Sequence, residues 1–171
     1  MMNMSTTIRC RVCGRPLRSK ESVDRGVGPT CAKHIPYRDI SKIPRENVRY
    51  WIKESYEDIS TAYFLKHRGN RKLEAAFFAH LAVEKAIKSL VAQNTNEIPP
   101  KIHNLVALAK RAMLPMTADQ RKFLLMLNVY EIEGRYPSER ERILARTPDD
   151  LFEEILEKAS EFIQWCTQQL K

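Results

Sequence analysis

The sequence predicts an all-α protein, an antiparallel bundle of four to five helices that follows a short cysteine-rich N-terminal segment. Apolar residues recur every three to four positions over most of the chain after residue 44, which is the helical period. No segment shows sustained strict alternation of apolar and polar residues. The 171 residues include only five Gly against nine Pro, which favours helices separated by proline-marked breaks over a sheet protein with glycine turns.

Local signals place the ends of the predicted helices. The second helix ends before Pro99-Pro100, because proline cannot continue the helical hydrogen-bond ladder. The fourth begins at Thr117, whose spacing to Gln120 is typical of a capping box, and the fifth follows Pro148. The predicted helices cover residues 45–66, 72–94, 103–112, 117–134 and 148 onward, within a bundle of residues 45–171 that a linker at 37–44 joins to an N-terminal module at 1–36.

The net charge of +8 is distributed unevenly. Residues 1–44 contain nine Lys and Arg against three Asp and Glu, so most of the excess lies in the first quarter of the chain. A surplus of this sign attracts polyanions such as nucleic acids. No apolar run approaches the roughly 18 residues of a membrane span, and residues 1–7 lack the apolar core of a secretory signal. We therefore expect a cytoplasmic protein without a membrane partner.

The N-terminal module contains two pairs of metal-ligand residues. Cys10 and Cys13 form the first pair, and Cys31 and His34 form the second after a loop of 17 residues. Four such donors complete a tetrahedron around Zn²⁺, and three thiolates with an imidazole suit zinc better than Mg²⁺ or Ca²⁺. The pattern predicts a closed, structural zinc site. Unpaired reduced cysteines with a surface histidine are the alternative interpretation, and another side chain or a water molecule is the alternative to His34 at the fourth position.

The residues around these cysteines resemble a known domain. The motif Cys-x2-Cys-Gly-Arg-Pro-Leu at 10–17, Ser22 and the run Gly-Val-Gly-Pro-Thr-Cys at 26–31 are similar to a small cysteine-rich domain of unknown function found in bacterial and phage proteins. This resemblance covers about 25 residues and implies no activity.

A second resemblance covers about residues 48–165. It is based on Trp51 and Asp58, on the run Phe-Ala-His-Leu-Ala-Val-Glu-Lys-Ala-Ile-Lys-Ser-Leu at 78–90, on Pro-Pro-Lys-Ile-His-Asn-Leu at 99–105 and on Arg-Tyr-Pro at 135–137. These residues resemble the HEPN family of small helical-bundle domains. The resemblance implies an up-and-down bundle that commonly dimerises. Family members are RNases, often toxins, or nucleotide- and RNA-associated partners of small nucleotidyltransferases.

The RNase members of that family carry Arg, four to six residues, then His on one helix. None of the four His of this chain follows an Arg at that spacing. The resemblance therefore favours the nucleotidyltransferase-associated subgroup and argues against catalysis. The leading hypothesis is a homodimer that binds a nucleotide, RNA or a nucleotidyltransferase in a toxin–antitoxin or defence context. The alternatives are an RNase with a non-standard active site and a dimeric scaffold without a nucleic-acid role.

The predicted bundle also contains candidate site residues. RNA cleavage by attack of a 2′-hydroxyl needs a base, an acid and cations that hold the phosphate. An alternative interpretation of Asp58, Glu84, Lys85 and Lys88 is a partly buried ion network between helices, since Glu84 and Lys88 have the favourable i, i+4 order. The catalytic candidates are His80, His103 and Arg135, and the candidates for nucleotide or phosphate binding are Lys85, Lys88, His103, Arg135 and Tyr136, flanked by Arg140, Arg142 and Arg146.

Overall fold

The structure is a computed structural model, and it describes residues 7–35, 39–132 and 137–171. The predicted all-α fold is confirmed, since the described residues form helices and contain no β-strand beyond an isolated bridge between Arg9 and Pro16. The N-terminal module holds two short helices. The helices are α1 (Lys20–Arg25), α2 (Pro29–Ala32), α3 (Glu46–His67), α4 (Lys72–Thr95), α5 (Leu105–Arg111), α6 (Ala118–Leu127), α7 (Val129–Ile132), α8 (Pro137–Arg146) and α9 (Asp149–Gln168).

Helix α4 is the centre of the bundle, because α3, α5, α7 and α9 all pack against it. Its six alanines are all buried, and their small side chains let the neighbouring helices approach closely. Since helices surround α4 on several sides, some of its polar residues are buried as well, including His80, Glu84 and Lys88. Among the helices that the structure describes, none is both long enough and apolar enough to cross a membrane.

The ends of the two longest helices lie within one residue of their predicted positions. Helix α3 covers Glu46–His67, and α4 covers Lys72–Thr95. The predicted capping box also forms, because the Gln120 N–H donates to Thr117 Oγ1 (3.1 Å) and the Thr117 N–H donates to Gln120 Oε1 (2.9 Å). These features depend on local sequence, which explains the agreement.

The prediction of one continuous helix from Thr117 to residue 134 is wrong. The helix is interrupted at Asn128, which separates α6 from α7. Asn128 Oδ1 accepts a hydrogen bond from the backbone N–H of Leu105 (3.0 Å), the first residue of α5. This bond joins the break in one helix to the start of another, and apolar periodicity contains no information about it.

The N-terminal module packs directly on the bundle. Val12 and Ile35 are buried in the same apolar cluster as the core of the bundle, and so is Ile43 in the predicted linker. Arg11 Nη1 donates to Glu57 Oε1 of α3 at 2.7 Å. The few apolar side chains of the module therefore complete a core that it shares with the bundle.

Candidate metal centre and buried polar cluster

Three cysteines of the module come together in space. The Sγ atoms of Cys10, Cys13 and Cys31 all lie within 4.8 Å of one another. A tight turn after the first pair holds two of them, since the Gly14 N–H donates to the Cys10 carbonyl (2.8 Å) and Gly14 has a φ of +71°, which favours glycine. Three thiols at this spacing are a candidate metal site, and their chemistry fits a borderline-soft cation.

The thiols of this cluster differ in acidity. Burial acts to raise the pKa of Cys10, but hydrogen bonds from the backbone N–H groups of Gly28, Cys13 and Val12 outweigh it and lower the pKa to about 7. Burial raises the pKa of Cys31 to about 12. A metal ion replaces thiol protons when it binds, so the hydrogen bonds that lower the pKa of Cys10 favour the thiolate form that a metal binds.

The structure does not bring His34, the predicted fourth ligand, to the sulfurs. His34 lies outside the group of atoms within 4.8 Å, and its exposed ring is next to Tyr63 of α3 with the ring centroids 6.0 Å apart. The next residue, Ile35, is buried in the core that the module shares with the bundle.

The three cysteines line a cleft of about 680 Å³ between the module and α3. Arg15 and Arg18 lie on its module side, and His67, the last residue of α3, lies on its bundle side. The spacing of residues in the sequence gives no indication that His67 lies near Cys10. The sequence therefore does not predict that this histidine lines the cleft of the cysteines.

Several of the candidate bundle residues meet at the carboxylate of Glu84. Lys88 Nζ lies 2.6 Å from Glu84 Oε1, and His103 Nδ1 lies 3.0 Å from Glu84 Oε2. The side chains of Glu84 and Lys88 are only 5% and 7% exposed, and Lys88 Nζ also lies 5.3 Å from the centroid of the Trp51 ring. This cluster, which is buried except for the exposed His103 side chain, joins α4 to α3 and to the segment before α5, in agreement with the ion-network interpretation.

Lys85 belongs to a different ion pair. Its Nζ lies 2.7 Å from Asp58 Oδ2 and 3.5 Å from Glu54 Oε2. Carboxylates of the same chain therefore neutralise both Lys85 and Lys88, which reduces their attraction for a phosphate group. Arg135 and Tyr136 lie outside the described residues. Of the flanking cations, Arg140 pairs with Glu74 at 2.9 Å and Arg142 pairs with Glu139 at 3.1 Å.

His80 is fully buried beside the Glu84 cluster. Its Nδ1 lies 4.0 Å from Glu84 Oε2, and neither ring nitrogen makes a hydrogen bond of normal geometry within the described part of the chain. Burial lowers the pKa of His80 and outweighs the opposing effect of the Glu84 and Glu131 carboxylates, the Asn128 side chain and the His103 backbone. A side chain without exposed surface does not reach an RNA phosphate, so the geometry favours a structural role.

Comparison with known families agrees with this architecture. The HEPN domain family matches residues 48–170, which is more than two thirds of the chain. The chain belongs to the HEPN family. A family of unknown function, DUF6011, matches residues 6–36, the segment that contains the three clustered cysteines. No curated protein and no solved structure matches the chain.

The HEPN bundle is expected to lose stability when His80 is forced to take up a proton. In the unfolded chain His80 is protonated below its ordinary pKa near 6.5, whereas burial keeps it neutral in the fold to lower pH. The unfolded state then binds more protons, so the free energy of unfolding decreases as the pH falls below about 6.5. Urea unfolding between about pH 7.5 and pH 5.5 measures this decrease, which we expect to be smaller in His80→Gln.

His34→Gln is the matched control for this measurement, because His34 is exposed. It should show the same pH dependence as the wild-type protein. The assignment to His80 is contradicted if His80→Gln retains the full wild-type dependence.

Proposed function

We propose that this HEPN protein binds RNA through the basic surface of a zinc-bearing N-terminal module, and that it does so without cleaving the RNA. The observation that carries the proposal is the position of Arg15 and Arg18, which line the cleft beside the three clustered cysteines. A metal at the cysteines holds this part of the backbone in place. The bundle then serves as the support on which the module is fixed.

The candidate phosphate-binding cations of the bundle are neutralised by carboxylates of the same chain. In the bundle, Lys85, Lys88 and Arg140 all lie next to carboxylates. Five exposed cations of the module make no ion pair with any residue that the structure describes, and so retain their full attraction for phosphate oxygens. These are Arg9, Arg15, Arg18, Lys20 and Lys33. Each such contact with RNA releases a counterion and contributes to affinity.

Zinc is the metal that the donor set favours. Three thiolates suit Zn²⁺, and it binds them without redox chemistry. A segment of this size buries too little apolar surface to be stable alone, so part of its folding free energy must come from metal binding and from the core that it shares with the bundle. The metal in this proposal therefore orders the arginines and does not act on the RNA.

The buried polar cluster supports a binding function over a nuclease function. His80 has no exposed surface, and Lys88 is neutralised by Glu84. HEPN domains are commonly associated with nucleic acids, which is consistent with RNA as the ligand. A homodimer, a nucleotidyltransferase partner and a toxin–antitoxin context stay predictions from the family resemblance.

Charge reversal on the module is expected to remove most of the RNA affinity. Arg15→Glu with Arg18→Glu changes the charge beside the cleft, and Arg121→Glu with Lys122→Glu makes the same change on the exposed surface of α6. Fluorescence anisotropy with a structured RNA at several salt concentrations measures both pairs. The module variant should bind at least about 10-fold more weakly, and the slope of log K against log salt should fall by about 2.

The α6 variant should retain an affinity close to that of the wild-type protein. Equal losses in the two variants mean that the RNA senses only the net charge, and they contradict the proposed surface. Gel analysis of the same RNA after incubation should show intact molecules. Cleavage by the wild-type protein that His103→Ala abolishes supports the RNase alternative instead.

A further inference from the structure

We propose that His67, at the end of α3, is the fourth ligand of the metal centre, so that the metal joins the N-terminal module to the bundle. This inference rests on the metal in the proposed function and is independent of RNA binding. It replaces the assignment of His34 that the sequence spacing predicts.

The three thiolates need one further donor. Structural zinc sites are almost always four-coordinate and tetrahedral. Among the described residues that line the cleft, the ones with a Cys, His, Asp or Glu side chain are the three clustered cysteines and His67. The neighbouring segments 1–6 and 36–38 lie outside the described residues, and their sequences contain no Cys, His, Asp or Glu.

The surroundings of His67 are typical of a metal ligand. Glu153 Oε1 of α9 lies 3.3 Å from His67 Nε2, and the imidazole stacks on Tyr63 with ring centroids 5.8 Å apart and an interplanar angle of 18°. Histidines that bind metals almost always direct their other ring nitrogen to a carboxylate or a carbonyl, which fixes the tautomer and the ring orientation. The Glu153 carboxylate lies on the Nε2 side of the ring, so Nδ1 is the nitrogen that we assign to the metal.

His34 lacks this arrangement. It lines a separate cavity, together with Ser160 and Gln164 of α9, and that cavity contains none of the three clustered cysteines. Both imidazole rings lie beside Tyr63, but they line different cavities. His67 is the histidine that shares a cleft with the sulfurs.

Coordination by His67 requires the cleft to narrow, since His67 lies outside the group of atoms within 4.8 Å. The module already contacts this end of α3. Arg11 forms an ion pair with Glu57 at 2.7 Å, and a Cβ atom on Gly14 would lie 3.6 Å from Arg68 Nη2. A metal bound by both parts reinforces an existing contact and links metal occupancy to the docking of the module.

Metal affinity of the full-length chain tests the assignment. Zn²⁺ affinity is measured by competition with a chromophoric chelator, and the ligand field is measured by the absorption spectrum of the Co²⁺ form. His67→Ala should weaken Zn²⁺ binding at least about 10-fold and change the Co²⁺ spectrum, whereas His34→Ala should leave both unchanged. Glu153→Gln, which removes the carboxylate beside His67 and Lys66, should weaken binding by about 10-fold, at the lower end of the range for residues behind a metal ligand.

His67→Cys provides a rescue with a different donor. It should restore tight binding and add intensity to the sulfur-to-cobalt charge-transfer band, and His34→Cys should do neither. The inference is overturned if His34→Ala weakens binding and His67→Ala does not, or if neither does. A wild-type chain that binds no metal overturns both this inference and the zinc in the proposed function, whereas loss of RNA binding alone affects only the proposed function.

Discussion

Glu84→Ala is expected to destabilise the bundle by about 3–5 kcal/mol, because it leaves a buried lysine without its counter-charge. The Lys88 side chain is 7% exposed, and its Nζ lies 2.6 Å from Glu84 Oε1. Neither the Trp51 ring, which Lys88 contacts, nor the His103 side chain, which contacts Glu84, supplies a negative charge in place of the lost carboxylate. Equilibrium unfolding in urea measures the change, with circular dichroism to monitor the helices.

The chain contains a matched control for this substitution. Glu154 and Lys158 of α9 form a second i, i+4 pair with the same 2.6 Å separation, but their side chains are 51% and 50% exposed. Exposed pairs of this kind contribute about 0–1 kcal/mol, so Glu154→Ala should have a small effect. Similar losses in the two variants contradict the importance of burial.

A double replacement distinguishes two quantities: the destabilisation caused by an unpaired buried lysine and the net contribution of the intact ion pair to stability. Glu84→Leu with Lys88→Met removes both charges from the core of the bundle. Apolar replacements of buried ion pairs are often neutral or stabilising, so the double variant should be more stable than Glu84→Ala. This result would indicate that the cluster contributes little net stability and that its members are kept for another reason, such as the position of His103.

The second large effect is expected at the cysteines. Cys13→Ser with Cys31→Ser removes two of the three clustered thiols, and we expect it to abolish metal binding and to release the module from the bundle. Structural zinc sites contribute about 10–16 kcal/mol of apparent binding free energy in small domains, which is more than a module of this size can recover from its core. The measured zinc content should decrease from about one zinc per chain to none. Limited proteolysis should cut within residues 7–35.

The bundle should tolerate this loss better than the module. Cys166 provides the control, because it is buried in α9 away from the cluster, and burial raises the pKa of its thiol. Cys166→Ser should therefore alter stability but not the metal content. An unchanged zinc content in the double cysteine variant contradicts the metal site.

Much of the fold could be predicted because its determinants are local. The apolar period of α3 and α4, the break at Pro99-Pro100 and the capping box at Thr117 all lie within a few residues of the features that they specify. The interruption at Asn128 could not be predicted, since apolar spacing contains no information about the hydrogen bond that Asn128 accepts from Leu105 of another helix.

In the candidate sites, too, local spacing predicts some contacts and does not predict others. The i, i+4 spacing of Glu84 and Lys88 predicts their ion pair, but the approach of His103 depends on how the segment before α5 packs. Spacing also predicts that the cysteines cluster. It assigns the nearest histidine, His34, as their partner, because sequence patterns contain no information about the docking of the module on α3 that places His67 in the cleft.

The RNA Kd of the chain, measured before and after its metal is removed, is the most direct test of whether a metal-ordered module binds RNA. We expect about one zinc per chain, a loss of affinity of at least about 10-fold on removal, and recovery when Zn²⁺ is restored. The Cys13→Ser, Cys31→Ser variant should bind as weakly as the stripped protein and should not respond to added Zn²⁺. An RNA Kd that is the same with and without zinc would contradict the proposal that the metal orders the RNA-binding surface.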